Sequence, residues 1–477
     1  MKADRVALGG VIALVLWAGF YVLGFTIAGA LLLLPWAQNR YQGSVSMSGL
    51  LSGFLAVWVL WAIFPRPGAS PERANQQSSR EHPRLHAFVA DIAERAGMRP
   101  PDEVHVIMDA NAYAAWQSGW RGARGANVVG VGIPLLALLD CEELASVVAH
   151  ELGHHHAGHV RLGPWVHRMR RSIGESLYRL EGSSFWLHWP FVAYARLFLR
   201  VTHDASRSQE FHADAIAARV CGATATASAL CRIHDEGALW QAYFASEVRP
   251  LLRRGYLPPI LEGFDQFRNA VARRPDITEQ IDRLRAEEER PSALDTHPTL
   301  SARLTALQWT RNDAGARGDA ALALLDSVES GERTAVEALL VDPRSTLKPI
   351  EWVDAGEEVW LPMWRESLEL YSGLFDDARP ARLGEFIANA ARWASESRKG
   401  LAIYSPAAER RHFANACGAW LAVELHRLGF VILALPGAPV LAKRGVQVIE
   451  PFNIATDLDK GAMTPAEWRT RCEELQL

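Results

Sequence analysis

Charged residues vanish between Val6 and Leu34, a run of about 29 positions dominated by Leu, Val, Ala and Gly. A helix needs about 20 apolar residues to cross a bilayer, and a signal-peptide core is shorter, so this run predicts a spanning helix. Val45 to Phe64 repeats the pattern over about 20 residues and is weakest at Ser46-Met47-Ser48-Gly49. Together they predict a transmembrane helical hairpin around the turn Gln38–Gly43, with Trp36, Tyr41, Trp58 and Trp61 near the interfaces. Lys2 and Arg5 precede the first run, Arg40 stands alone in the turn, and Arg66, Arg73, Arg80 and Arg84 follow the second. By the positive-inside rule both ends of the hairpin face the cytoplasm. Pro65 to Ser79, rich in Pro, Ser, Gln and charge, reads as a linker.

Beyond the linker the periodicity changes. Leu85, Phe88, Val89 and Ile92 form the stripe of an amphipathic helix that Gly97 stops. Glu103–Met108 alternates as a strand does, and Asn127–Ile133 reads as a second strand. Asp140 with Glu143 three residues on is an N-terminal capping pattern, and Leu144, Val147, Val148 and Leu152 continue it as a helix. About 50 residues later Ser206 and Gln209 suggest another cap, followed by an Ala-rich run that favours helix. Between these helices, Arg161, Arg168, Arg170 and Arg171 precede the aromatic stretch Phe185–Leu199. That stretch is too short and too interrupted by Pro190 and Arg196 to span, and reads as a lipid-interface segment or a core or lid helix. Helical pattern then runs from Cys221 to Gln308. Later still, Leu383–Ser397 and Ala407–Leu428 read as helices, Val431–Leu435 and Val446–Ile449 as short strands. Trp352, Trp360 and Trp364 belong to a core or to a partner surface.

The chemistry lies on the helix that begins at Asp140. At about 100° per residue His150 and His154 share a face, where two imidazoles can meet one zinc ion, and Glu151 sits beside a metal-bound water. This is the H-E-x-x-H spacing of zinc hydrolases. His155 and His159 point about 140° and 180° away from His150 and read as surface or packing residues. A catalytic zinc site needs a third protein ligand and an open position. Glu210 fits best, with Asp214 one turn on to orient a ligating imidazole; His212, Asp214 and Glu175 are the alternative ligands.

The chain resembles the membrane-bound zinc endopeptidases that include bacterial HtpX and the CAAX prenyl proteases. The resemblance rests on Asn111-Ala112-Tyr113-Ala114, the helix from His150-Glu151-Leu152-Gly153-His154 to His159, Arg207-Ser208-Gln209-Glu210 with Ala213-Asp214, and Thr296-His297-Pro298 with Arg303. It covers about residues 80 to 310. It implies a zincin-type (gluzincin) domain with one Zn2+ per chain held by His150, His154 and Glu210. Glu151 is then the base, with Asp214 and Arg207 behind the ligands. His297 stabilises the oxyanion or acts as an occasional extra ligand. The resemblance also implies that a strand near Val129 borders the cleft and pairs with extended substrate, to which Asn111 adds a hydrogen bond.

The chain has 477 residues, 49% of them hydrophobic, and a net charge of −4, which gives no indication of nucleic acid as a partner. Cys141, Cys221, Cys231, Cys417 and Cys472 are odd in number and scattered, as reduced thiols are. The expected fold is mainly α with a small β-sheet: spanning helices in 1–64, a linker in 65–80, a zinc metallopeptidase domain in 81–310 and a C-terminal α+β domain of illegible role in 311–477. The expected function is hydrolysis of peptide bonds by a metal-activated water at the inner membrane, with the peptidase domain facing the cytoplasm. The expected partners are the lipid bilayer and protein or peptide substrates, misfolded membrane proteins among them. The rival readings are a vestigial peptidase acting as a binding or chaperone-like protein, and a narrow prenyl-peptide processor. A prenyl-peptide processor ordinarily carries more spanning helices than two.

Overall fold

The computed structural model describes residues 2–64, 81–117, 126–156, 185–274, 298–310, 318–340, 346–371, 378–388 and 406–477, with isolated positions within 169–180 and at 279, 283 and 375. These residues are mainly helical with small sheets. They fall into two compact units, one of residues 1–237 with 283–343 and the other of residues 238–282 with 344–477.

In the first unit, helix α1 (Lys2–Gln42) packs along α2 (Met47–Ile63). Within the expected turn Gln38–Gly43 the helix persists almost to the end, because α1 runs through Pro35 to Gln42. A proline inside a helix leaves the carbonyl four residues earlier without its backbone donor. Here that carbonyl is Leu31 O, and the Ser52 hydroxyl of α2 donates to it at 2.6 Å. The reversal comes at Gly43, whose φ of +71° suits glycine, and Gln38 Oε1 accepts from Ser46 N at 3.0 Å across the turn. Of α1, the stretch Ile12–Gln42 is long and apolar enough to cross a membrane; α2 is apolar but shorter.

Helix α3 (Pro83–Arg95) buries Leu85, Val89 and Ile92, and Gly97 beyond it adopts φ +73°. Three strands follow: β1 (Glu103–Ile107), β2 (Ala112–Gln117) and β3 (Ala126–Gly132), in the order β1-β3-β2. β3 pairs parallel with β1, Val129 opposite Val104, and antiparallel with β2, Val129 opposite Ala114. The short helix α4 (Ile133–Leu138) leads into α5 (Cys141–His156), which carries the His-Glu-x-x-His run.

Helix α6 (Phe185–Cys221) is continuous over 37 residues, about 55 Å at 1.5 Å per residue. Ser206 is therefore an interior residue and not the expected cap. Arg200–Ala205 contains no Gly or Pro to end the helix that the aromatic stretch begins. The early part of α6 joins the apolar core of α1 and α2, with Phe191, Ala195 and Phe198 buried beside Ala13, Phe20, Val59 and Ile63. The later part packs on α5, where Gly153 allows the approach: a Cβ there would stand 3.3 Å from Ala213 Cα. Helix α7 (Ala223–Tyr243) follows.

In the second unit, helices Leu361–Leu368, Leu383–Ala388, Pro406–Arg427, Pro451–Lys460 and Pro465–Leu475 enclose a core around Trp420, Phe430 and Trp468. Its antiparallel sheet joins Val431–Leu433, Leu441–Arg444 and Gln447–Ile449. Trp352 is buried there, with its indole N–H donating to Pro259 O at 2.9 Å. The expected extension of a helix to Ser397 lies outside the described residues.

Candidate metal centre

The start of α5 is held firmly. Asp140 Oδ1 accepts from Glu143 N at 2.9 Å and Glu143 Oε2 accepts from Asp140 N at 3.0 Å, a reciprocal cap. Glu143 is itself buried, and its other oxygen accepts from Arg232 Nε at 2.6 Å and from the Ser228 hydroxyl. Asp140 Oδ2 accepts from Gly318 N at 3.0 Å. The cap and two separate segments thus fix the register of the helix whose third and fourth turns carry the histidines.

At those turns His150 Nε2 and His154 Nε2 lie 3.1 Å apart. Glu210 of α6 reaches toward both, with Oε2 3.5 Å from His150 Nε2 and Oε1 3.7 Å from His154 Nε2. One donor atom from each of the three residues falls within 4.8 Å of the others. Two imidazole nitrogens and a carboxylate are the donor chemistry zinc favours. His150 Nδ1 lies 2.9 Å from Asp214 Oδ1, which fixes the ring tautomer and turns Nε2 toward the centre of the cluster.

Asp214 is buried and clamped from behind by Arg303, whose Nε donates to Oδ2 at 2.8 Å and Nη2 to Oδ1 at 2.6 Å. Arg303 lies on the short helix Leu300–Ala306, capped by Thr299. Burial opposes ionisation of Asp214, but the guanidinium of Arg303 and the ring of His150 outweigh it and hold the carboxyl below its ordinary range. Burial also works against protonating His150. Hydrogen bonds to Asp214 and Glu210, with the nearby charge of Glu151, overcome this and raise its pKa to about 9 in the metal-free site. Glu151 is half-buried and close enough for its charge to act on both His150 and Arg303.

Of the residues singled out in the sequence, the fold brings together His150, Glu151, His154, Glu210 and Asp214. Asp214 is spent on His150 Nδ1 and Arg303 rather than on the open side of the cluster, and His212 is exposed. Arg207 is half-buried, and the group that clamps Asp214 from behind is Arg303. One expectation is corrected. Val129 is buried in the central strand, bonded on both sides, so it has no edge to offer a peptide; β2 is the outer strand that packs beside α5. Asn111 is exposed just before β2, and its carbonyl accepts from Gly132 N at 2.9 Å. His297 and Glu175, and the side chains of His155, His156 and His159, lie outside the described residues. The role of Arg303 had a sequence signal, its place six residues after His297, but only the fold reveals its bond to Asp214.

The model of peptidase family M48 matches residues 79–311. A protease HtpX homolog of Acidiphilium cryptum is 32% identical over 265 residues, covering 52% of this chain and 88% of the relative. The chain belongs to the M48 peptidase family. Another HtpX homolog, from Pyrococcus abyssi, is 31% identical over 234 residues, 44% of this chain and 74% of its own. Protease HtpX of Pseudomonas fluorescens is 26% identical over 208 residues, 40% and 67% respectively. No solved structure matches the chain. As a member of M48 the chain is a metallopeptidase, and the His150, His154 and Glu210 cluster lies within the matched region.

Proposed function

We propose that this M48 peptidase is a membrane-anchored gluzincin endopeptidase that holds one zinc ion between His150, His154 and Glu210. The observation that carries the reading is the convergence of those three donors beside Glu151, with Asp214 orienting His150 from behind. Zinc held there supplies a Lewis acid that acidifies water toward neutral pH and polarises the scissile carbonyl. Glu151 accepts the proton of the attacking water and returns it to the leaving amine. His297 donates to the oxyanion. The peptide runs beside β2, where backbone pairing gives affinity with little sequence preference.

Anchoring rests on the first two helices. Val15, Val22, Phe25, Leu33, Trp36, Leu50, Phe54 and Val57 are all exposed on α1 and α2, an apolar surface that water does not favour and lipid does. With basic residues concentrated at the two ends of the helix pair, the peptidase domain, residues 81–310, works on the cytoplasmic side of the inner membrane. Low sequence preference beside a membrane anchor suits quality control of misfolded membrane proteins. The test is cleavage of an unfolded membrane protein by the zinc-loaded chain and by Glu151→Gln. The expected result is zinc in both and hydrolysis only in the wild type. Equal hydrolysis refutes the base, and zinc binding without any hydrolysis favours a vestigial peptidase.

A further inference from the structure

The early half of α6 has two faces of opposite character. One face lies on α1: the rings of Phe191 and Phe20 meet edge to face at 5.6 Å, and Tyr194 Oη donates to Leu16 O at 2.9 Å. As the sequence of α6 ascends from 191 to 194, its contacts on α1 descend from Phe20 to Leu16, so the two helices run antiparallel. Later residues of α6 therefore approach the start of the apolar run. On the other face Trp189 is 55% exposed, and Arg196 and Arg200 are exposed. These three lie within about 40° of one another around the helix. Leu197 and Val201 are exposed alongside. Neither arginine has an ion-pair or hydrogen-bond partner among the described residues, in a chain where Arg84, Arg232, Arg254 and Arg303 all do.

We propose that Arg196 and Arg200 bind the phosphodiester headgroup of an anionic phospholipid in the cytoplasmic leaflet. The proposal rests on the membrane-anchored reading and deepens it. Arg196 stands about 10 Å and Arg200 about 16 Å along the helix from Trp189, against about 15 Å for the hydrocarbon of one leaflet. Trp189 and Leu197 thus sit among acyl chains while the guanidinium groups extend into the headgroup layer on their apolar stems. Two guanidinium groups one helical turn apart match a phosphate, whose oxygens they can share through paired N–H donors. The surface is opposite in charge to an anionic leaflet, and its exposed Trp189, Leu197 and Val201 suit the acyl chains beneath it.

The test uses the full-length, zinc-loaded protein in micelles titrated with phosphatidylglycerol, bound lipid being counted by native mass spectrometry. Arg196→Gln/Arg200→Gln should lower phosphatidylglycerol affinity at least about tenfold, while the corresponding double Lys variant, which keeps the charge and loses the paired donors, recovers only part of it. Phosphatidylcholine binding and zinc content should not change in either variant. Equal phosphatidylglycerol affinity in the wild type and the Gln variant overturns the proposal. Displacement by inorganic phosphate at concentrations equal to the lipid's overturns the assignment to lipid in favour of a plain anion site. Recovery of the wild type in carbonate-washed membranes tests the anchoring separately. If the protein is retained there with lipid binding indifferent to the arginines, only this proposal fails. If the protein is absent from that fraction, the anchoring fails, and the proposal with it.

Discussion

Helix α6 carries two unlike stretches on one backbone. Before Val201 it is aromatic and aliphatic, and it buries Phe191, Ala195 and Phe198 against α1 by shape and apolar contact. After Arg207 it is Ala-rich, and what it buries against α5 includes two carboxylates, Glu210 and Asp214. A buried carboxylate is costly unless partnered. Asp214 meets Arg303 and His150, and Glu210 faces the two imidazoles. The first stretch can be altered by degrees, because dispersion contacts are many and individually small. The second is closer to all-or-none, because each charge depends on just two partners.

The largest expected effect falls on the second stretch. Glu210→Ala should bring bound zinc and hydrolysis to background while the helix content by circular dichroism is unchanged. Retention of zinc would break the contrast, since the third donor would then come from elsewhere. Next is Arg303→Ala, which strips Asp214 of its clamp and should weaken zinc binding about 10- to 100-fold by competition with a chelator. Arg303→Lys, lacking the two-point geometry, should recover only part of it.

A pH effect of about tenfold per unit follows from His150. Its pKa in the metal-free site is raised to about 9 from an ordinary 6.5, so a proton must leave before Nε2 can bind metal. Zinc affinity should climb as pH rises toward 9 and level off above it. The sign for metal-free stability is opposite: the raised pKa contributes fully below about 6.5 and is lost as pH rises through 9. Thermal melts of the chelator-treated protein from pH 6 to 9.5 check this. The smallest effect belongs to the first stretch. Tyr194→Phe removes the hydrogen bond to Leu16 O and should cost about 1 kcal/mol with zinc binding unchanged.

The metal helix was legible because its signals are local: a cap at Asp140 and Glu143, an apolar stripe, and donors four residues apart. Glu210 was legible through its frame with Asp214. The hidden parts were long-range. β2 was missed because Ala112–Gln117 gains its pairing only from β3. Arg303 gives no local sign of the carboxylate it holds, 89 positions away in sequence. The unity of α6 was hidden for a different reason, since its composition changes at about residue 201 while its backbone does not. In the C-terminal unit Trp468 is fully buried and its N–H donates to Pro380 O at 2.7 Å, a packing role that carries no trace of chemistry.

The unbroken backbone of α6 also works as a stilt. From Phe198, seated on α1, to Glu210 the helix rises about 18 Å, and no hinge residue interrupts it. With the apolar bundle in a bilayer and the helix upright, the cutting centre stands that far above the greasy layer. An extended chain covers about 3.3 Å per residue, so a substrate still rooted in the membrane must offer roughly five or six free residues before it can be cut. Clearance, more than side-chain preference, would then decide which membrane proteins this peptidase spares.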